Sequence, residues 1–78
     1  MQFADLQSMM ADVFEVAPSQ IHSNSTPDDI AAWDSVRLLE LLLAIEKQHG
    51  IFVSPDRLPD LMSVGAILSV VNGAEAVS

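Results

Sequence analysis

Apolar positions along the chain keep a helical period in three stretches and lose it between them. From Gln2 to about Glu15, residues Phe3, Leu6, Met10, Val13 and Phe14 recur at i, i+3, i+7 spacing, with Asp5, Ser8, Asp12 and Glu15 opposite. This predicts an amphipathic helix. No side chain suited to capping precedes it, so its first residues are expected to fray. Met9 and Met10 are read as core filler and helix surface.

Residues 16–34 hold no period. Pro18, Pro27, Asn24 and several Ser and Thr residues interrupt both helix and strand. Thr26-Pro27-Asp28-Asp29 reads as one capped helical turn, with Thr26 as cap and Pro27 in the first position. A loop this long in so small a domain needs anchors, and Ile21, Ile30 and Trp33 are the candidates.

The second helix is predicted from Ser35 to about His49, capped by Asp34 and terminated by Gly50. Steps of 100° divide its apolar residues into two strips. Leu38, Leu41, Leu42 and Ile45 form one arc, which should face the core. Val36, Leu39 and Leu43 form another, bordered by Ser35, Glu40, Glu46 and Lys47. A domain this small cannot easily bury both, so the second strip is expected to stay exposed as a contact patch rimmed by charge. Ile51-Phe52-Val53 lacks a partner run and reads as an extended apolar linker rather than a strand. Ser54-Pro55-Asp56 opens a short helical turn that reaches about Leu61. Ser63 then caps a last helix from Val64 to about Asn72, with Val64, Ile67, Leu68 and Val71 on one face. Gly73 is expected to end it, leaving residues 74–78 as a loose tail. The fold class is all-α: a small four-helix bundle of three longer helices and a short one, with a long loop between the first two, in a single domain over residues 1–78.

Size and charge narrow the function. A chain of 78 residues buries only about 60% of its unfolded surface, and a deep catalytic cleft would compete with the core for its few apolar side chains. No apolar run approaches the roughly 18 residues of a membrane span, and the start of the chain has no signal-peptide pattern. Absence of cysteine excludes disulfides and thiolate metal sites, which is compatible with a cytoplasmic location. The net charge of −8, with only Arg37, Lys47 and Arg57 as cations, opposes binding to nucleic acid. It suits partner proteins with basic docking surfaces, and it favours a monomer.

Catalytic and metal chemistry find little support. Ser35 lies in Trp33-Asp34-Ser35-Val36, without the Gly-x-Ser-x-Gly elbow of serine hydrolases. Its neighbour Asp34 is better placed to cap a helix than to orient a histidine. His22 reads as a solvated loop residue, and His49 as a packed or half-buried residue at the core side of a helix end. Asp28-Asp29 and Asp56 belong to no calcium loop, and two distant histidines make no zinc site. What stands out is the Ser35 hydroxyl itself. It stands where a long polar loop becomes the longest helix, beside an apolar strip and over the partial positive end of a helix dipole.

These residues carry a resemblance. Asp34-Ser35-Val36 is similar to the Asp-Ser-Leu motif of the acyl carrier proteins, small phosphopantetheinylated carriers of fatty-acid, polyketide and related pathways. The resemblance continues through Leu38 to Glu46, Gly50-Ile51, Ser54-Pro55 and Leu61-Met62-Ser63-Val64, and covers nearly the whole chain. It implies a non-catalytic, free-standing carrier. Ser35 would accept 4′-phosphopantetheine from coenzyme A through a separate phosphopantetheinyl transferase, and the arm's thiol would hold acyl groups as thioesters. Acyl-activating or acyl-transferring enzymes and synthases would then dock on Asp34, Val36, Leu39, Glu40, Leu43 and Glu46. Val36 in place of leucine, the cations Arg37 and Lys47, His49 and Trp33 depart from typical fatty-acid carriers and point to a specialised lipid or secondary-metabolite pathway. Similarity to peptidyl and D-alanyl carriers leaves an aminoacyl cargo as an alternative. From the residues alone, the rival is an unmodified helical adaptor that binds through Val36, Leu39 and Leu43.

Overall fold

The structure is a computed structural model that describes residues 1–77, with side chains as far as Ala74. Three helices form where the periodicity places them: α1 Phe3–Phe14, α2 Ser35–His49 and α3 Val64–Val77. Two short 3₁₀ segments, Pro18–Gln20 and Pro55–Asp60, punctuate the connections, and the described residues contain no strand. The fold is all-helical, with three long helices and the short Pro55–Asp60 piece making the four-helix arrangement.

Each helix end has a local cause. At the start of α2 the Asp34 carboxylate accepts the Arg37 N–H at 2.8 Å, satisfying one of the first-turn donors that no carbonyl of the helix can reach. At the other end Gly50 adopts φ 68°, a left-handed conformation that costs other residues about 1–2 kcal/mol. Ser54 Oγ accepts the Asp56 N–H at 3.3 Å, and Ser63 Oγ accepts the Ala66 N–H at 3.0 Å. Both are caps of the kind their sequence positions suggest.

Two termini differ from expectation. The start of α1 is held after all, because the Gln2 N–H donates to the Asp5 carboxylate at 3.2 Å and the Met1 nitrogen donates to Asn72 Oδ1 at 2.9 Å. The first bond is the return arm of a capping box, which works without a short polar residue at the cap. Helix α3 does not stop at Gly73 but runs to Val77; the loose tail expected from residue 74 is helical as far as that residue, and Ser78 lies outside the described residues. Gly50 is the one glycine among the described residues with positive φ. Gly73 is therefore an ordinary helical residue, at a cost of up to about 1 kcal/mol relative to alanine. Ala74, Glu75 and Ala76 are strong helix formers that carry the turn onward.

The core draws on all three long helices and on both connections. Leu6, Met9, Met10 and Phe14 of α1, Leu38, Leu41, Leu42 and Ile45 of α2, and Val64, Ile67 and Val71 of α3 are buried in one cluster. Ile21, Ile30 and Trp33 join it from the long loop, and Ile51, Val53 and Leu61 from the second connection. The 51–53 segment is the extended linker foreseen, with Ile51 and Val53 inward and Phe52 exposed. His49 is exposed rather than packed, because the last core contact of α2 is Ile45 and the helix overruns the core by a full turn. His22 is solvent-exposed in the loop.

The loop is fastened at several points. Gln7 Nε2 donates to the Pro18 and Ile21 carbonyls at 2.8 and 3.0 Å. Thr26 accepts the Asp28 N–H at Oγ1 and gives its own N–H to Asp29, closing the turn that Pro27 starts. The Ser25 and Ser23 carbonyls accept the N–H groups of Val64 and Gly65 at 3.0 and 2.9 Å. The loop backbone thus satisfies the first donors of α3. A Cβ on Gly65 would come within 3.2 Å of the Ser23 carbonyl oxygen, so a side chain here would require the loop to give by a few tenths of an ångström.

The division of α2 into a buried and an exposed strip is testable. Leu41 is fully buried and Leu43 is 59% exposed. Leu41→Ala should lower the free energy of unfolding by about 2–5 kcal/mol, and Leu43→Ala should leave it within about 0.5 kcal/mol, read by urea titration of helical circular dichroism. Asp34→Ala, which removes the α2 cap, should cost about 1 kcal/mol in the same titration.

Candidate functional site

Ser35 occupies the first position of α2. Its neighbours are held on both sides by groups that turn inward. Two residues before it, Trp33 is buried and stacks on Phe14 of α1, with ring centroids 5.5 Å apart and planes 24° apart. Two residues after it, Arg37 reaches back to α1. Its Nη1 donates to the Val13 carbonyl at 2.7 Å, one of the last carbonyls of α1 and thus free of helical partners. Its Nη2 meets Glu15 Oε2 at 3.3 Å. With 33 and 37 drawn inward, Asp34, Ser35 and Val36 are left facing solvent, and all three are exposed.

The polar surroundings of Ser35 suit modification better than catalysis. Among the described residues no hydrogen bond engages its Oγ, and neither histidine is bonded to it; Asp34 Oδ1 is committed to the Arg37 N–H. The backbone N–H of Leu38 goes to the Asp34 carbonyl at 2.9 Å, whereas the N–H groups of Ser35 and Val36 have no partner. An anion joined to Ser35 Oγ would meet those two donors and the positive end of the α2 dipole, worth about 0.3–1 kcal/mol. The neighbouring Asp34 carboxylate opposes part of this. The residues present therefore fit a phosphodiester.

The second strip is where the helical period put it. Val36, Leu39 and Leu43 are 68%, 38% and 59% exposed, and Glu40 and Glu46 are exposed beside them. Asp34 heads the row. Arg37, a cation that would interrupt an acidic face, directs its charge to α1 instead.

One feature at the site has little sequence signal. A cavity of about 250 Å³ lies against Ser35, lined by Trp33, Asp34 and Leu38 on one side and by Leu58, Pro59 and Met62 on the other, with Pro27 completing the wall. Leu58 and Met62 come from the second connection, more than twenty residues away in the chain, and only the tertiary fold brings them there. A larger groove of about 570 Å³ lies between Phe52, Arg57 and the second half of α3. It does not include Ser35. No helix of the described residues is long and apolar enough to cross a membrane.

Comparison with known proteins agrees with this geometry. Among solved structures, a holo acyl carrier protein from Geobacter metallireducens superposes with a TM-score of 0.83 at 24% identity, covering 96% of this chain and 86% of that one. This similarity shows a shared fold. No curated protein matches the chain. Residues 4–71 match the family described as "Phosphopantetheine attachment site", a family of non-catalytic carrier domains whose prosthetic group is 4′-phosphopantetheine. With that match spanning most of its length, around an exposed serine at a helix start, the chain belongs to the phosphopantetheine-binding carrier family.

Proposed function

We propose that Ser35 is the residue that bears the 4′-phosphopantetheine arm, and that the chain carries acyl intermediates for a fatty-acid, polyketide or specialised lipid or secondary-metabolite pathway. The observation that supports this reading is the Ser35 hydroxyl, exposed and unbonded, at the mouth of α2 beside unpartnered N–H groups. In the transfer, Ser35 Oγ forms the new bond to phosphorus as the pyrophosphate bond of coenzyme A breaks. Adenosine bisphosphate leaves, and the hydroxyl proton passes to a base on the transferase. The exposed position of Ser35 lets a second active site reach it, and the Asp34 cap holds it there.

The arm, once attached, supplies the thiol that this cysteine-free chain lacks, and a tether raises the effective concentration of cargo at successive active sites. The chain contributes recognition. Asp34, Val36, Leu39, Glu40, Leu43 and Glu46 form the docking row: exposed apolar groups that lose water on binding, rimmed by acids that attract basic partner surfaces. A phosphopantetheinyl transferase is the first such partner, followed by acyl-activating and acyl-transferring enzymes. Trp33, Arg37 and Lys47 favour a specialised pathway over a housekeeping one.

Incubation with coenzyme A and a broad-specificity phosphopantetheinyl transferase should add one phosphopantetheinyl group by intact mass, and Ser35→Ala should add none. A gain retained in the alanine variant would move the attachment point elsewhere. The Glu40→Lys/Glu46→Lys double variant should lower the kcat/KM of that transfer by about tenfold at low salt. The deficit should shrink as ionic strength rises, since charge steering is screened.

A further inference from the structure

Of the three Lys and Arg residues in this acidic chain, two are engaged by the fold and the third stands on the docking row. Arg37 is tied to the Val13 carbonyl and to Glu15, and Arg57 is paired with Asp60 at 3.1 Å. Lys47 is exposed and, among the described residues, has neither an ion pair nor a hydrogen bond. Its place on α2 follows from the helical period. Val36, Glu40, Leu43 and Lys47 are spaced i, i+4, i+7, i+11 and share one line of the helix within about 60°. At 1.5 Å per residue Lys47 lies roughly 16 Å beyond Val36, at the Gly50 end. Glu46 shares that last turn, about 100° round towards Leu39, so the far end of the row carries no net charge. The near end carries Asp34 and Glu40. A cation in the last turn also meets the negative end of the helix dipole, but the dipole favours one on any side. It does not account for a lysine set in line with Val36 and Leu43.

Building on the docking row assigned above, we propose that Lys47 is its specificity-determining residue. It repels partner surfaces that are basic along the whole length of α2 and admits those whose basic groups are confined to the Ser35 end. A partner that suits this face offers Lys or Arg to Asp34 and Glu40, an apolar hollow to Leu39 and Leu43, and an acidic or uncharged group beyond. Discrimination then rests on an unfavourable contact with the wrong partner as much as on favourable contacts with the right one. Lys47 is exposed, so water and salt screen its field, and an exposed charge pair changes affinity only about 1.5- to fivefold. Ser35 lies roughly 18 Å away along the helix, beyond the Debye length of about 8 Å at physiological salt. Lys47 therefore acts on docking and leaves the chemistry at the serine alone.

The probe is the broad-specificity phosphopantetheinyl transferase with coenzyme A, the transfer followed by intact mass at low and at physiological salt. Three variants are compared with the parent: Lys47→Gln, Gln48→Glu and Glu46→Lys. Gln48 is exposed and lies about 100° off the line of Lys47. Lys47→Gln and Gln48→Glu make the net charge more negative by the same amount, so any difference between them reports position. Lys47→Gln should raise kcat/KM about two- to fivefold at low salt, through a lower KM with kcat unchanged. The gain should shrink as ionic strength rises. Gln48→Glu should change kcat/KM by less than about 1.5-fold. Glu46→Lys should lower it, which marks the enzyme's basic surface as reaching that turn of α2. Equal gains from Lys47→Gln and Gln48→Glu overturn the proposal, because net charge alone then explains both. Absence of a gain from Lys47→Gln also overturns it. If Glu46→Lys is silent as well, the row ends short of Lys47; if Glu46→Lys slows the transfer, the row reaches that turn but Lys47 has no part in it. A gain carried by kcat and untouched by salt counts against it too, since that is not the signature of a repelling charge. Failure of the parent chain to gain mass would count against Ser35 itself, so the two failures are distinct.

Discussion

The site depends on a local alternation of anchors. Trp33 is pulled into the core and onto Phe14, and Arg37 is tied to the end of α1, with Asp34, Ser35 and Val36 between them. An aromatic pair adds about 0.5–1.5 kcal/mol beyond the area it buries. The Arg37 bond to the Val13 carbonyl adds a charge-assisted contact, while its half-exposed pairing with Glu15 adds little. These contacts set the angle at which α2 leaves the loop. The Asp34 cap fixes where the helix starts. The serine is consequently exposed at a set point, the first position of α2.

The same geometry sorts the two strips of α2. Leu38, Leu41, Leu42 and Ile45 are held inward by α1, α3 and the connections, and a small domain has no further element to cover Val36, Leu39 and Leu43. Exposed apolar side chains in a row, with Glu40 and Glu46 alongside, are a liability for a solitary protein and an asset for one that docks repeatedly. Strong acidity offsets the first by keeping the chain soluble. It also favours fast, salt-sensitive encounter over tight binding, as suits a carrier that must leave one partner for the next.

Trp33 belongs to the core and is one wall of the cavity next to Ser35, yet its indole N–H lacks an acceptor among the described residues. A core carries such a group at a cost that packing elsewhere must offset. The other departures noted in the sequence have simpler fates. Arg37 serves as a strut to α1, and His49 stands in solvent beyond the last core contact.

The fold was legible where a residue's role follows from its neighbours in the chain. Helix periods, the Asp34, Ser54 and Ser63 caps, the Gly50 terminator and the exposed strip beside Ser35 all arise within a turn or two of sequence, because caps and amphipathic faces are local physics. The run of α3 past Gly73 is not legible in the sequence, because a glycine marks a helix end only when the chain needs a left-handed turn there. Tertiary structure alone decided which side chains converge from afar. It placed Leu58 and Met62 opposite Trp33, laid the Ser23 and Ser25 carbonyls over the start of α3, and closed the cavity at Ser35. Such contacts join residues whose separation in sequence leaves no period or spacing to read. They are set by how three helices share one small core.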